Sequence, residues 1–282
     1  MIRFTKMHSA ARDFLIIDST KEKILPECYS DFAAELCQRR ISVGADGLIL
    51  ISGPFKSTNS KDFLNPAYAR LLVYDSSGGR CELDLNGISC AAKYCFDRKQ
   101  EIKEAESLIF ETDSGQVYAE VLNNCNIQIT IDSIKVIQTG LSPETGGTVL
   151  DASYVEIGKS PHLVVEYDYR NKDERELWLL ANRLRHHCGL PKGPNVNFYK
   201  RIAADTIEIK TYKKGIEDFV CSCGEGACAV MAATAVQSMY SVTEKKFRSA
   251  GGLQTVEWVS DKDRSSMIFI AEAETVFEGI IK

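Results

Sequence analysis

Apolar and polar residues alternate along much of this chain with the two-residue period of β-strands, and a few stretches follow the longer period of helices. Residues 2–7 alternate and residues 14–17 are continuously apolar, with a polar break between them. Residues 154–157 and 163–167 repeat this arrangement in the second half of the chain. The pattern predicts that each half opens with a pair of strands joined by a polar loop.

Helical spacing follows in both halves, and two of the predicted helices begin at glycine-containing loops. Residues 27–40 and 174–187 carry apolar side chains three and four positions apart. The helices predicted at 88–97 and 227–239 each follow a loop rich in turn-forming residues, the second reading Cys-Gly-Glu-Gly at 223–226. We therefore expect two related halves, each containing a helix entered from a glycine loop.

The composition indicates a two-domain protein that acts on small molecules. The chain has 282 residues, of which 44% are hydrophobic, and a formal net charge of −5. Its lysines and arginines are scattered, which disfavours a nucleic-acid surface, and no apolar run approaches the roughly 20 residues of a membrane helix. We expect no nucleic-acid partner and no membrane insertion.

The ten cysteines indicate reactive or buried thiols rather than a disulfide scaffold. They are spread through a long chain whose first residues contain no apolar signal segment, so we predict a reducing cytoplasm. Neither Cys221 and Cys223 nor Cys90 and Cys95 are accompanied by a second cysteine pair or a histidine pair at zinc spacing. No metal site is predicted.

Cys223 is the candidate reactive group that the pattern singles out. It stands directly before Gly224, Glu225 and Gly226, where a helix is predicted to begin. The positive end of a helix favours a thiolate, and exposed backbone amides can bind a carboxylate. The alternative is a buried structural cysteine on a tight turn.

Seven motifs occur together over nearly the whole chain: KMHSAARDFLIID, SVGADGLIL, the segment 75–90, SPHLVV, PNVNF, CGEGACA and GGLQTVEW. Together they resemble the diaminopimelate epimerase family. The resemblance implies an α+β fold of two pseudo-symmetric domains, each a sheet wrapped around a central helix. It places the first domain at 1–121 with a returning strand at 271–282, and the second at 122–270.

The same resemblance implies an isomerase that needs no cofactor. In this family two cysteines face each other across the α-carbon of an amino acid, one removing the proton and the other returning a proton to the opposite face. No pyridoxal-binding lysine is implied. A homodimer and a small amino-acid substrate are expected by resemblance.

The first of the two catalytic cysteines is replaced in this chain. Counting back from the segment Asn86 to Cys90 places Asp84 at its position, and a gapped alignment offers Cys81 instead. Asp84 is a candidate acid/base, although Asp is also a common helix N-cap. Leu85 stands where the family has glycine.

Several expected substrate-binding positions have also changed. Arg12 replaces an amide side chain, Asp75 and Ser160 each replace an asparagine, and Lys213 and Lys214 occur where the family has an arginine motif. The remaining expected binding residues are Asn86, Gly87, His162, Asn195, Gly224 and Glu225. Glu225, which replaces Thr or Ser, either faces solvent or binds a substrate amine.

These residues predict a racemase or epimerase with Cys223 and Asp84 as acid/base groups, acting on an amino acid other than ordinary diaminopimelate. Diaminopimelate itself stays possible, with Lys214 holding its distal carboxylate. Two alternatives are a one-base isomerase or lyase on the same fold, and a non-catalytic protein that binds an amino acid.

Overall fold

A computed structural model describes residues 1–53, 67–98, 107–123, 125–145, 147–190, 192–238, 243–261 and 264–282. The polar segment 53–68, which the sequence predicts to be a surface loop, lies almost wholly outside the described residues. The chain divides into two compact units: unit 1 comprises Met1–Ile131 and Ile270–Lys282, and unit 2 comprises Asp132–Phe269.

Unit 1 is a sheet that surrounds one helix. Its elements are β1 (Ile2–Ser9), β2 (Arg12–Asp18), a short 3-10 helix (Pro26–Cys28), α1 (Tyr29–Leu36), β3 (Gly47–Ser52), β4 (Ala69–Asp75), β5 (Arg80–Cys81), α2 (Leu85–Arg98), β6 (Leu108–Thr112), β7 (Gly115–Val121) and β8 (Asn126–Ile131). β1 pairs antiparallel with β2, and β2 pairs parallel with β3. The first nine residues of α2 are all buried, which is typical of a helix enclosed by strands.

Unit 2 repeats this plan around a second helix. Its elements are β9 (Ile134–Leu141), β10 (Glu144–Thr145), β11 (Thr148–Val149), β12 (Ala152–Ile157), β13 (Ser160–Glu166), α3 (Glu174–Arg185), β14 (Asn195–Arg201), β15 (Thr206–Lys213), β16 (Asp218–Val220), α4 (Gly224–Gln237), β17 (Glu244–Ser249) and β18 (Gly252–Asp261). Residues 224–235 of α4 are all buried. Its many alanines and glycines fit this setting, because a helix enclosed on every side has little room for large side chains.

The final strand, β19 (Arg264–Ile281), begins in unit 2 and ends in unit 1, where it pairs antiparallel with β1. The predicted fold class is confirmed: the protein is α+β, with a strand-rich sheet curled around a central helix in each unit. The division between units falls after Ile131, whereas the sequence placed it after Val121. β8 stays with unit 1 because it pairs with β7.

Candidate functional site

Asp84 caps the buried start of α2. Its Oδ1 accepts a hydrogen bond from the Gly87 amide at 3.1 Å, and its backbone carbonyl accepts one from Ile88 at 2.8 Å. The helix therefore begins three residues earlier than the apolar pattern predicted, because an Asp cap satisfies amides that the pattern does not register.

The second oxygen of Asp84 contacts Arg12. The Arg12 Nη2 lies 3.4 Å from Asp84 Oδ2, its Nε donates to Asp46 Oδ2 at 3.1 Å, and its guanidinium stacks on the Phe14 ring at 5.5 Å. The Arg12 and Asp84 side chains are only 4% and 3% exposed. Asp84 is thus both a helix cap and a member of a buried ion pair, which favours its ionised form.

The turn before Arg12 sets the position of this cation. Ala10 and Ala11 both have positive φ angles, 47° and 58°, as a two-residue hairpin turn requires, and Ser9 pairs with Arg12 across it. Behind the turn, Asp13 accepts hydrogen bonds from Arg39. Burial raises the pKa of Asp13, but Arg39 and the neighbouring Lys6 outweigh burial and lower it overall.

Asn86 and Gly87 fix the first turn of α2 against neighbouring strands. Asn86 Nδ2 donates to the Ser9 carbonyl at 3.1 Å, and a Cβ added at Gly87 would lie 2.8 Å from Ile49 Cδ1. Arg12, Asp84, Asn86 and Gly87 are therefore brought together at one end of unit 1.

Asp75 and Cys81 occupy the loop that precedes this helix. Asp75 Oδ1 accepts from the amides of Ser77 and Gly79, both at 2.8 Å, so its carboxylate organises the turn. Cys81 lies on β5 and its Sγ contacts the Gly79 carbonyl at 3.9 Å. The turn accounts for the bonds of Asp75 that the structure shows.

Cys223 caps α4 in the same way that Asp84 caps α2. Its backbone is extended, and its Sγ accepts a hydrogen bond from the Gly226 amide at 3.4 Å. The Sγ also lies 3.4 Å from Glu225 Oε2. Glu225 is only 3% exposed, so its side chain does not face solvent. This carboxylate is bonded to the candidate acid/base thiol.

Gly226 packs against three hydrogen-bonded polar side chains at the start of α4, Thr211, Asn197 and His162, here called the polar chain. A Cβ at Gly226 would lie 2.5 Å from Asn197 Oδ1 and 2.9 Å from Thr211 Oγ1, so no side chain fits there. Thr211 donates to Asn197 at 3.0 Å, and Asn197 Nδ2 lies 3.2 Å from His162 Nδ1. The last of the three is the fully buried imidazole of His162.

His162 is uncharged in this position. Burial, followed by the charge of Lys213, lowers its pKa to about 3, against the smaller opposing effect of its hydrogen bond to Asn197. A neutral imidazole cannot balance the carboxylate of Glu225. Its contacts with Asn195 and Asn197 instead orient the amides at the start of β14.

Two other expected binding residues contact Asn195: Ser160 through its hydroxyl group and Lys214 through its backbone amide. Asn195 Nδ2 donates to Ser160 Oγ at 3.1 Å, and Asn195 Oδ1 accepts from the Lys214 amide at 2.8 Å. The Lys214 ammonium is exposed and donates to the Lys192 carbonyl at 3.0 Å. Lys213 acts electrostatically on His162.

The sequence did not single out Asn197, Thr211 or Asp46, which the structure places in direct contact with the predicted residues. Asn197 could have been predicted, because Asn195 and Asn197 are two residues apart and therefore share one face of a predicted strand. Thr211 and Asp46 gave no such signal, since Thr211 meets Asn197 only when β14 pairs with β15, and Asp46 meets Arg12 only where the pairing of β2 with β3 begins.

Two other cysteines on the central helices contrast with Cys223. Burial and the nearby Asp84 raise the pKa of Cys90 well above its usual value, and burial and Glu225 do the same for Cys228. Both lie inside their helices and are unsuited to proton transfer.

Within the ranges described, no group of three His, Cys, Asp or Glu side chains is arranged to hold a metal ion. No helix in those ranges is long and apolar enough to cross a membrane.

Comparison of the sequence with curated proteins identifies epimerases of matching length. The diaminopimelate epimerase of Methanocella arvoryzae is 29% identical over 99% of this chain and 96% of its own length. That of Hydrogenobaculum sp. is 27% identical over 98% of this chain and 97% of its own. No family model matches the chain. The resemblance to the diaminopimelate epimerase family is confirmed over the full chain.

Solved structures share the fold at low sequence identity. A phenazine biosynthesis protein of the PhzF family from Bacillus anthracis has a TM-score of 0.74 at 12% identity, covering 100% of this chain and 99% of its own. A probable proline racemase from Agrobacterium radiobacter K84 has a TM-score of 0.72 at 14% identity, covering 100% and 93%. A methylitaconate-delta-isomerase scores 0.61 at 11% identity, covering 99% and 95%. The relatives together support an isomerase.

Proposed function

We propose that the protein is an amino-acid racemase or epimerase that works without pyridoxal phosphate. The observation that carries this proposal is the Cys223 thiol, which caps the buried helix α4 in a chain that resembles diaminopimelate epimerases from end to end. A helix start offers amides and a positive dipole end to a substrate carboxylate. Their interaction with that carboxylate strengthens as carbanion charge spreads onto it.

Asp84 and Cys223 are the two acid/base groups of the proposed reaction. Asp84, ionised beside Arg12, takes the α-proton, and Cys223 gives a proton to the other face of the carbon. A weak carbon acid requires both groups to be held in place before the substrate arrives. The buried bonds of Asp84 and Cys223 to their helix ends meet this requirement.

The substrate is proposed to be an amino acid other than ordinary diaminopimelate. Arg12 is occupied by two carboxylates, and Lys213 and Lys214 lack the two-pronged geometry with which an arginine binds a carboxylate. The proposed binding residues are Arg12, Asp75, Asn86, Gly87, Ser160, His162, Asn195, Lys213, Lys214, Gly224 and Glu225.

Incorporation of solvent deuterium at the α-carbon tests this function. Candidate L- and D-amino acids, with diaminopimelate among them, are incubated with the protein in D2O, and the exchange is followed by NMR. We expect exchange with one class of amino acid and its loss in Cys223→Ala. Absence of exchange with every amino acid would refute the function.

A one-base isomerase or lyase is the second candidate, because Asp84 is already committed to a cap and an ion pair. Product chirality separates the two candidates, since one-sided proton transfer leaves the product with a single configuration. Saturable amino-acid binding without any exchange would instead identify a non-catalytic binding protein.

The proposed enzyme is a cytoplasmic homodimer. Its ten cysteines are thiols rather than disulfides, as expected in a reducing compartment. Three large apolar side chains on the last strand, Val276, Phe277 and Ile280, are 52%, 44% and 58% exposed, which favours burial against a second copy. Light scattering of the purified protein tests the dimer.

A further inference from the structure

Ser9 ends β1 and lies directly opposite Arg12 across the hairpin turn. Side chains that oppose each other in an antiparallel pair lie on the same face of the sheet, with their Cβ atoms about 5 Å apart. On this face Arg12 reaches Asp84 at 3.4 Å, and the Ser9 carbonyl accepts a hydrogen bond from Asn86 at 3.1 Å. The Ser9 side chain is therefore directed towards the buried start of α2, where Asp84 lies.

The Ser9 hydroxyl has no hydrogen-bond partner among the described residues, although the residue is 0% exposed. Buried hydroxyls are nearly always bonded, because burial without a partner costs free energy. Two other buried hydroxyls of unit 1 follow this rule: Ser89 donates to the Leu85 carbonyl at 2.9 Å, and Thr5 accepts from Arg98 at 2.8 Å. The unmet hydroxyl of Ser9 thus differs from them and lies beside a candidate acid/base group.

We infer that Ser9 is a specificity-determining residue whose hydroxyl binds a neutral polar group on the side chain of the substrate. The inference rests on the proposed function, which brings the substrate to Asp84. Ser9 was not among the binding residues that the sequence indicated.

The chemistry of a single hydroxyl selects the substrate class. The α-carboxylate and α-amino groups of an amino acid are charged, and one neutral hydroxyl does not offset a buried charge. A hydroxyl or carboxamide side chain is neutral and both donates and accepts hydrogen bonds, as Ser9 does. The substrate class is therefore an amino acid with a hydroxyl or carboxamide side chain, rather than one with an apolar or carboxylate side chain.

Thermal unfolding tests the unmet hydroxyl in the absence of any substrate. Ser9→Ala deletes only the hydroxyl, and because this removes a buried group without a partner, we expect the unfolding midpoint to rise by about 2 to 4 °C. Thr5→Val is the matched control, because Thr5 lies on the same face of β1 but its hydroxyl is bonded, so its midpoint should fall. An unchanged or lowered midpoint in Ser9→Ala would show that its hydroxyl is already satisfied, and would overturn the inference.

Deuterium exchange at the α-carbon tests the specificity with two pairs of similar size, threonine with valine and glutamine with methionine. In the parent protein we expect kcat/KM for the polar member of one pair to exceed that of its apolar partner by about 10- to 100-fold, because the apolar partner leaves Ser9 unbonded. Ser9→Ala should reduce this ratio about tenfold or more, and Thr5→Val should keep it. Exchange with a ratio that is the same in the parent and in Ser9→Ala would refute the role of Ser9 and leave the proposed function intact.

A parent protein that exchanges no amino acid would instead refute the proposed function. Isothermal titration calorimetry with the same four amino acids then tests Ser9 as a binding residue. Tighter binding of the polar member, lost in Ser9→Ala and kept in Thr5→Val, would support the inference for a protein that binds without catalysis. Binding of none of the four would refute the inference as well.

Discussion

The two central helices begin with the same capping arrangement, but the charged side chain bonded to the cap differs between them. At α2 the cap is Asp84, and its charge is balanced by the buried Arg12. At α4 the cap is Cys223, and its bonded neighbour Glu225 adds a negative charge. A capped helix start therefore fixes where an acid/base group lies, and the two starts differ in the charged side chain that contacts the cap: a guanidinium at α2 and a carboxylate at α4.

Substitution of either acid/base group should cause the largest effect, on deuterium exchange at the substrate α-carbon. Cys223→Ala removes the proton donor, and we expect a loss of at least about 1,000-fold. Asp84→Asn keeps a side chain that can cap a helix but cannot accept the proton, so we expect a loss of about 100-fold or more. NMR measures both rates.

Cys221→Ala is the control for the thiol, because Cys221 is exposed and lies two residues before the cap. It should leave exchange near the parent rate. Full activity in Asp84→Asn would show that Asp84 acts as a cap only, and the comparison of two acid/base groups would then reduce to one.

Both central helices begin three residues earlier than the apolar pattern predicted, α2 at residue 85 instead of 88 and α4 at residue 224 instead of 227. Cys223 was found from its glycines, and its observed role as the α4 cap agrees with the loop that precedes the helix. At α2 the helix was expected to start at residue 88, because Asp84, Leu85 and Asn86 carry no apolar period, and burial of these residues depends on strands that pack around them.

Contacts between distant segments account for what the sequence missed. The sequence predicted Arg12 as a substrate-binding cation, which stays a prediction, but it did not indicate the bonds of Arg12 to Asp46 and Asp84, 34 and 72 residues away. Glu225 left two interpretations open, and only the packing around α4 shows that its carboxylate is buried against Cys223. Local pattern predicts which element a residue occupies, but it does not give the partner that a tertiary fold brings to it.

Substitution of alanine for the closely packed glycine near each helix start, Gly226 in α4 and Gly87 in α2, should lower the free energy of unfolding by different amounts. A Cβ at Gly226 meets Asn197 and Thr211 below 3.0 Å in the polar chain, so we expect Gly226→Ala to destabilise unit 2 by about 3 kcal/mol. A Cβ at Gly87 meets the end of the Ile49 side chain, which can rotate, so about 1 kcal/mol is expected. Urea unfolding measures both, and equal costs would contradict the difference in packing.

Loss of the buried cation should destabilise unit 1 by a smaller amount. Arg12→Gln leaves Asp84 and Asp46 without their shared guanidinium, and we expect a cost of about 2 kcal/mol. Arg39→Gln is the matched control, because Arg39 also bonds Asp46 but its side chain is 55% exposed, so water replaces it for less than about 1 kcal/mol. Similar costs for the two variants, compared by urea unfolding, would show that burial does not distinguish these ion pairs.

The smallest effect concerns the uncharged His162 behind α4. Its pKa of about 3 in the folded protein lies below the value of about 6.5 for an unfolded histidine. Between these values the unfolded chain binds a proton that the folded chain does not, so stability falls as the pH is lowered. The limiting slope is about 1.4 kcal/mol per pH unit for one group.

His162→Gln should remove this slope, and the difference between it and the parent protein isolates the histidine from carboxylates that titrate in the same range. Unfolding free energies at a series of pH values from about 7 to about 4 measure it. His187→Gln, at a half-buried position, serves as the control and should keep the parental slope. Parallel slopes for His162→Gln and the parent would mean that His162 is charged in the fold.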